Sequence, residues 1–344
     1  MAKKIKSIEE LRQLAVFSKM IRYFDDRFYA FDFPLEIDES WIKHIPPKLI
    51  YREKDCITVY PMGSTTILGN MERKRFIEEF KGKYGLYEAT QRSEKALKKG
   101  RDIHDIIDQS LKLGATVLYN DKKAPQYSEK DIEEYHKLIK KPLIVVEDQE
   151  IAIQVARYQQ IVKDLKPIIL SSEEKIFNIE QFYAGTIDQK WLFSQDKDYQ
   201  TSKRIKIKIK AGKWINDLKT GKWFDETSYW RQMAAYFFGL PDWKDYEGAI
   251  ITWLNYDETA GVYGGRVYLK TKEELMPYFE EFLWLKTMCY RRRDLECPRH
   301  YDIPSIITFN KIQPNRKPKK VIKKKKIIKK SSIKKNGNKR IHKI

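Results

Sequence analysis

Residues 183–193 read YAGTIDQKWLF, and residues 213–219 read KWINDLK. Both stretches are rich in β-branched and aromatic residues and are bounded by turns, so we expect two strands of a sheet. Period-2 alternation places Asp217 and Lys219 on the same face of the second strand. Two carboxylates on neighbouring strands, Asp188 and Asp217, repel each other unless a cation lies between them. Oxygen ligands of this kind suit Mg²⁺ or Mn²⁺, which predicts a divalent metal site.

A polar pair on the following helix adds to this pattern. The sequence predicts a helix over residues 227–238, where Gln232 and Tyr236 are spaced i, i+4 and share a face. Packing in a helical core would explain Tyr236 but not Gln232. The Asp-Leu-Lys pattern alone is also typical of a solvated strand face, so the helix is what favours a site.

The rest of the chain alternates helical and strand patterns. Helices are predicted over 93–113, 128–140, 148–165 and 272–292, with Gly100 as an interruption or a start of the first. This order favours an α/β fold with a central mixed β-sheet flanked by helices. Further strands are predicted over 167–178, 204–210, 247–254 and 265–270.

Residues 1–85 mix helical stretches with short apolar pieces at 48–51 and 56–60. Gly63 to Thr66 offers caps for a helix that begins near Ile67. We therefore expect this part to be a helical N-terminal extension packed on the main domain.

The charge and the cysteines bound the class of protein. The net charge is +20, but residues 316–344 hold 15 lysines and arginines and no acid, which leaves +5 elsewhere. A stretch this polar cannot bury enough apolar surface to order itself, so residues 313–344 are predicted to be a disordered basic tail.

No unbroken apolar run indicates a secretory signal or a membrane span, and three cysteines suit a reducing compartment. We expect an intracellular protein, cytoplasmic or nucleoid-associated.

Three segments in order resemble a known motif series. Gly185 to Asp188, Asp217 to Lys222 and Gln232 to Tyr236 are similar to the motifs of the PD-(D/E)XK superfamily, in particular RecB-type nucleases and phage and mitochondrial genome maintenance exonucleases. Lys99 to His104 and Gly63 to Leu68 resemble upstream segments of that family, so the similarity covers roughly residues 60–240. It implies a restriction-endonuclease-like core, placed here in residues 86–312, and a phage or virus-infected cell as an alternative source.

The resemblance also implies roles for single residues. The family places a glutamate on the strand before Gly-Thr-Ile-Asp, where Glu173 and Glu174 compete. Glu173 fits better, because apolar residues follow it at +3 and +4. The implied metal ligands are His104, Asp188, Asp217 and the Leu218 carbonyl. The implied catalytic lysine is Lys219, and Gln232 and Tyr236 are implied to position the DNA backbone or the attacking water.

Some relatives bind an iron–sulfur cluster through four cysteines. Cys56, Cys289 and Cys297 flank the predicted core, and His300 follows the last of them. A cluster needs four good ligands, so three thiols and one histidine give it poor support, and idle thiols are the favoured interpretation.

DNA is the partner that these patterns indicate. We expect Thr220 and Lys222 beside the Asp-x-Lys strand, and Lys323, Lys324, Lys325 and Lys326 in the tail, to contact it without sequence specificity, although the tail also fits a solubility role. An exposed ring among Trp191, Trp214, Trp223, Tyr229 and Trp230 would stack on an unpaired base, whereas buried rings would be core.

The expected activity is metal-dependent hydrolysis of DNA from single-stranded or free ends, by an exonuclease in recombination, repair or replication. A structure-specific endonuclease with the same active site, and a non-catalytic DNA-binding protein on a nuclease fold, are the alternatives. Strand preference, digestion polarity and oligomeric state do not follow from the sequence.

Overall fold

The computed structural model describes the chain from residue 7 to residue 292, with gaps. Within that part a large mixed sheet is flanked by helices, which confirms the predicted α/β class and its central mixed sheet. No helix of the described ranges is long and apolar enough to cross a membrane. The described ranges are 7–23, 26–34, 37, 39–52, 56–72, 75–123, 125–200, 205–255 and 266–292.

The helices and strands of these ranges are numbered in chain order. The helices are α1 (Ile8–Leu14), α2 (Ser64–Met71), α3 (Arg75–Tyr84), α4 (Leu86–Leu113), α5 (Glu129–Ile139), α6 (Gln149–Leu165), α7 (Glu226–Gly239) and α8 (Lys272–Arg292). The strands are β1 (Val16–Tyr23), β2 (Asp26–Pro34), β3 (Ile50–Arg52), β4 (Cys56–Val59), β5 (Met62–Gly63), β6 (Thr116–Tyr119), β7 (Leu143–Val146), β8 (Ile168–Asn178), β9 (Tyr183–Phe193), β10 (Lys197–Gln200), β11 (Lys206–Ile209), β12 (Gly212–Lys219), β13 (Tyr246–Trp253) and β14 (Arg266–Thr271).

Ten strands form the central sheet, in the order β14-β13-β12-β9-β5-β2-β4-β3. Strand β1 pairs with β2, and β8 pairs with β9. The pairs β5–β9 and β12–β13 are parallel and the other pairs of this sheet are antiparallel. Two small sheets, β10–β11 and the parallel pair β6–β7, accompany it.

Residues 1–85 are not a helical extension, so that prediction is wrong. Their strands β1 to β5 belong to the central sheet, and β5 joins them to β9. Strand β2 is buried over most of its length, with Phe28, Tyr29, Ala30 and Phe31 at most 4% exposed. A continuous apolar run of this kind lacks the period-2 alternation of a half-buried strand, and periodicity alone cannot distinguish it from a buried helix.

Helices cover both faces of the sheet. Trp214 and Ile215 are neighbours on β12 and therefore point to opposite faces. Trp214 packs with Ile103 of α4 and Val155 of α6 in one buried cluster. Ile215 packs with Phe237 of α7 in another. Alternation along β12 therefore places Asp217 and Lys219 on the face of Ile215, under α7, and Leu218 on the face of Trp214, under α4 and α6.

Helix α4 is longer than predicted and runs without interruption through Gly100, where an interruption or a start was expected. A Cβ atom on Gly100 would lie 2.9 Å from Thr220 Oγ1. The glycine is therefore explained by the close approach of Thr220, which directly follows β12, and not by a helix break. The other predicted helices and strands between residues 128 and 292 occur within about two residues of their predicted bounds.

Several predictions fall on residues outside the described ranges. These are the basic tail with Lys323, Lys324, Lys325 and Lys326, the boundary of the core at residue 312, and the residues Cys297 and His300.

Candidate active site

Strand β9 has β8 on one side and two successive partners on the other. Strand β5 pairs with Tyr183 and Ala184 at its start, and β12 pairs with residues 189–193 near its end. Residues 185–188 lie between these two pairings and belong to neither ladder. The sheet therefore forks along this part of β9, and Asp188 lies where β12 separates from it.

The Asp188 side chain reaches β12 across the gap that opens where the β9–β12 ladder ends. The last ladder pair joins Gln189 to Asn216. Beyond that pair, the backbone N–H of Leu218 donates to Asp188 Oδ2 at 2.7 Å. The carboxylate thus satisfies a backbone donor near the end of the ladder, as buried backbone groups require. This bond fixes the Asp188 side chain beside the end of β12.

Glu173 lies directly across from Asp188 on β8. Their neighbours pair in register, with Ser172 opposite Gln189 and Glu174 opposite Ile187. Glu173 has φ of +54°, in the left-handed region that residues other than glycine rarely adopt. Such a conformation costs on the order of 1–3 kcal/mol and is often found at functional sites. The irregular backbone of β8 is therefore centred on a candidate ligand.

The irregularity separates the side chains on either side of Glu173. Ser172 Oγ donates to Asp108 on α4. Glu174 instead accepts hydrogen bonds from Ser171 and from Lys190. Residues two apart in a regular strand share a face, but Ser172 and Glu174 are directed to different partners. The sequence left open whether Glu173 or Glu174 lies at the candidate site. The irregular backbone of β8 distinguishes them, because it directs Glu174 to Ser171 and Lys190.

His104 reaches the two carboxylates from α4. Asp108 is one helical turn beyond His104, on the same face, and its bond to Ser172 fixes α4 against β8. His104 Nδ1 lies 3.5 Å from Asp188 Oδ2. Ligand atoms of His104, Glu173 and Asp188 all lie within 4.8 Å of one another. We call these three residues the carboxylate–histidine cluster.

The charge of Asp188 is poorly balanced. Burial and the neighbouring charge of Asp217 raise the pKa of Asp188 from 3.8 to about 7, although His104, Lys219 and the Leu218 N–H act in the opposite direction. The nearby positive charges therefore do not fully offset the cost of burying the ionised form. A bound cation would add positive charge there.

A second group of side chains joins β12 to α7. Lys219 Nζ lies 2.6 Å from Asp217 Oδ2 in an ion pair and donates to Gln232 Oε1 at 2.9 Å. Gln232 Nε2 in turn donates to the Tyr236 hydroxyl at 2.7 Å. The ring of Tyr229 covers the lysine, with its centroid 4.6 Å from Nζ. We call Asp217, Lys219, Gln232 and Tyr236 the lysine chain.

The protonation states of the lysine chain follow from its burial and its pairing. Burial alone would lower the pKa of Lys219, but the charge and hydrogen bond of Asp217 together with the charge of Asp188 outweigh burial, and the pKa is raised. Burial and the charge of Asp217 hold the pKa of Tyr236 well above its usual range. Lys219 is therefore an ammonium and Tyr236 a neutral hydroxyl at physiological pH. Both are suited to donate hydrogen bonds to an anion or to a water.

The structure thus divides the predicted site residues between two adjoining groups. Asp217 lies in the lysine chain and not among the three clustered ligands, although its charge acts on Asp188. Leu218 joins the site through its N–H, and the role of its carbonyl as a ligand stays a prediction. Thr220 contacts Gly100, and Lys222 lies beside the ring of Trp223.

Two residues of the site were missed by sequence reasoning. Asp108 fixes the helix of His104, and its i+4 spacing from that histidine could have indicated it. Tyr229 covers Lys219 and was considered only as a stacking ring. No local pattern distinguishes it from the other aromatic residues of α7.

The residues present fit a divalent cation. Two carboxylates and one imidazole converge, and all three side chains are partly buried. Asp217 Oδ2 is buried, and its ion pair with Lys219 Nζ does not meet hydrogen-bond geometry, so this oxygen is a further candidate metal ligand. The carboxylate oxygens suit Mg²⁺ or Mn²⁺, whereas an imidazole nitrogen also suits Zn²⁺ and other transition-metal ions.

The two described cysteines have separate environments. Cys56 on β4 lies 3.8 Å from Thr58 Oγ1, and Cys289 on α8 lies 3.8 Å from the sulfur of Met62. Burial raises the pKa of Cys289 to about 11, so its thiol is protonated. Metal ligation requires the thiolate, so this residue is not poised as a ligand.

The geometry of the candidate site comes from the residues of this chain alone. A comparison with models of known protein families finds no match, and a comparison with curated proteins finds no significant similarity.

Proposed function

We propose that this protein is a metal-dependent nuclease that hydrolyses phosphodiester bonds of DNA. The observation that carries the proposal is the convergence of His104, Glu173 and Asp188 next to a buried Asp217–Lys219 pair. Carboxylates that hold a cation beside a lysine match the requirements of phosphodiester hydrolysis, in which negative charge accumulates on the phosphate. The order of the motifs along the chain, which resembles RecB-type nucleases, supports the same reading.

The carboxylate–histidine cluster would hold Mg²⁺ or Mn²⁺, with Asp217 as an additional ligand. When bound, such an ion lowers the pKa of a water and neutralises charge on the phosphate. Lys219 is a paired ammonium, so it acts by orienting a water or a phosphate oxygen through its donor groups. Gln232 holds Lys219 on one side and Tyr236 on the other, and thereby fixes both donors.

Exonucleolytic digestion in recombination, repair or replication is the mode that we propose, because the motif series resembles exonucleases. The same residues would serve a structure-specific endonuclease. A non-catalytic DNA-binding protein is disfavoured, because a fold that only binds DNA has no need of buried acidic groups, which repel phosphates.

The test is degradation of end-labelled linear single-stranded and duplex DNA beside circular DNA, in Mg²⁺, Mn²⁺ or EDTA. Wild type is compared with Lys219→Ala and with Lys206→Ala, a control on β11, which carries no site residue. We expect metal-dependent loss of linear DNA that Lys219→Ala abolishes and Lys206→Ala retains. Cutting of circles would indicate the endonuclease, and absence of cleavage in every metal would contradict the proposal.

A further inference from the structure

The aromatic residues around the site differ in their exposure. Trp191, Trp214 and Trp230 are at most 2% exposed and belong to the core. Trp223 is 69% exposed. Burial thus removes three of the four tryptophans that the sequence left as stacking candidates. Trp223 follows the lysine of the site by only four residues.

The segment that carries Trp223 is held in place by its backbone. The carbonyl oxygens of Thr220 and Gly221 accept hydrogen bonds from Asn255 Nδ2 and Trp253 Nε1. The Trp223 carbonyl accepts one from the Tyr229 hydroxyl. Three carbonyls within four residues are therefore fixed by side chains of the surrounding elements. The backbone of the segment that carries the exposed indole is therefore fixed by hydrogen bonds.

The next residue anchors the segment from the other side. The ring of Phe224 stacks on Tyr268 of β14, with centroids 4.4 Å apart, and lies 5.5 Å from the ring of Trp253. Phe224 is partly buried against these rings, whereas Trp223 beside it is exposed. The segment gains its packing energy from Phe224, so the fold does not require Trp223 for stability.

Tyr229 connects this segment to the lysine chain. Tyr229 holds the Trp223 carbonyl through its hydroxyl and covers Lys219 Nζ with its ring. The position of Trp223 is thereby tied to the lysine chain. Lys222 adds positive charge, with its Nζ 5.9 Å from the centre of the indole ring. A cation beside a flat apolar ring matches a nucleotide, which carries a phosphate and a base.

We propose that Trp223 stacks on an unpaired base of a DNA strand that enters the site. The proposal rests on the proposed nuclease function. In an intact duplex the faces of all but the terminal bases are covered by their neighbours, whereas a single strand exposes them. Stacking between a base and an aromatic side chain is sequence-tolerant, because every base has a π-face.

The experiment measures binding in EDTA, where metal-dependent cleavage cannot occur. An oligothymidylate and an abasic oligomer of the same length and charge are the two probes. Wild type is compared with Trp223→Ala, with Trp223→Phe, and with Trp284→Ala, whose indole is 74% exposed on α8. Trp284 is a matched control because its helix carries none of the site residues.

We expect Trp223→Ala to weaken binding of the oligothymidylate about tenfold and to leave binding of the abasic oligomer unchanged. Trp223→Phe should retain most of the affinity, and Trp284→Ala should behave as wild type. The inference is overturned if wild type binds both probes equally, or if Trp223→Ala binds the oligothymidylate as wild type does. Metal-dependent cleavage that persists in that case would leave the nuclease proposal standing, whereas loss of both binding and cleavage in wild type would remove both.

Discussion

The carboxylate–histidine cluster and the lysine chain lie side by side but balance their charges differently. In the lysine chain, the ammonium of Lys219 meets the carboxylate of Asp217 and the amide of Gln232. In the cluster, Asp188 is partly balanced by His104, and burial still raises its pKa to about 7. The lysine chain is balanced by its own side chains, whereas the ionised form of Asp188 is only partly balanced. Under the proposed function, the carboxylate–histidine cluster is therefore where a metal ion would bind, and the lysine chain is where the protein itself supplies hydrogen-bond donors.

The largest effect is expected from Asp188→Asn, which keeps an oxygen to accept the Leu218 N–H but removes the charge. Loss of one charged ligand from a metal site should lower the rate of DNA cleavage on the order of 10³-fold, since metal-ion catalysis contributes several kcal/mol. The measurement is the single-turnover cleavage rate in Mg²⁺. A variant that cleaves at the wild-type rate would show that Asp188 is not a ligand.

The two adjacent glutamates give a sharper comparison. Glu173→Gln should weaken Mn²⁺ binding about 100-fold, because Glu173 is one of the three converging ligands. Glu174→Gln removes the charge that pairs with Lys190 and keeps an amide oxygen to accept from Ser171, so it should leave the affinity within about threefold of wild type. Calorimetric titration of both variants measures this. Equal losses in the two variants would contradict the assignment that the backbone of β8 makes.

The raised pKa of Asp188 predicts a pH-dependent stability of the metal-free protein. Below pH about 3 the carboxyl group is protonated in both the folded and the unfolded states, so its burial has no pH-dependent cost. As the pH rises to about 7, the unfolded state ionises first, and folding is destabilised by about 4 kcal/mol.

Denaturant unfolding in EDTA at a series of pH values measures this loss, with Asp188→Asn as the control that should lack this contribution. Added Mn²⁺ should restore most of the stability above pH 7, because it binds the folded state. A wild-type protein whose unfolding free energy follows that of the variant at every pH would contradict the charge imbalance.

A smaller effect is expected from Gly185→Ala, which tests the lysine chain through its geometry. A Cβ atom on Gly185 would lie 2.5 Å from the ring of Tyr236, so the tyrosine must shift and strain its bond to Gln232. We expect cleavage to slow on the order of tenfold with metal affinity unchanged. Gly69→Ala is the control, because a Cβ atom there meets nothing within 4 Å. Equal rates in the two variants would show that the position of Tyr236 does not matter.

Much of the site could be predicted from local patterns. Asp217 and Lys219 follow from strand alternation, and Gln232 and Tyr236 follow from helical spacing, because both periodicities are fixed by backbone geometry. The N-terminal strands could not be predicted in the same way. Strand β2 becomes a strand by pairing with β4 and β5, and β5 reaches β9 across more than a hundred residues of chain. Pairing over such separations leaves no periodic signal in a fully buried segment.

By itself the sequence determined the α/β class, most helices and strands after residue 128, and the types of side chain that meet at the site. Only the tertiary structure decided which glutamate joins His104 and Asp188, and which tryptophan is exposed. Glu173 is selected by a left-handed backbone conformation opposite Asp188. Trp223 is exposed, whereas Phe224 beside it stacks on Tyr268. Both outcomes depend on contacts between segments that are distant along the chain, and residue types and spacing do not encode them locally.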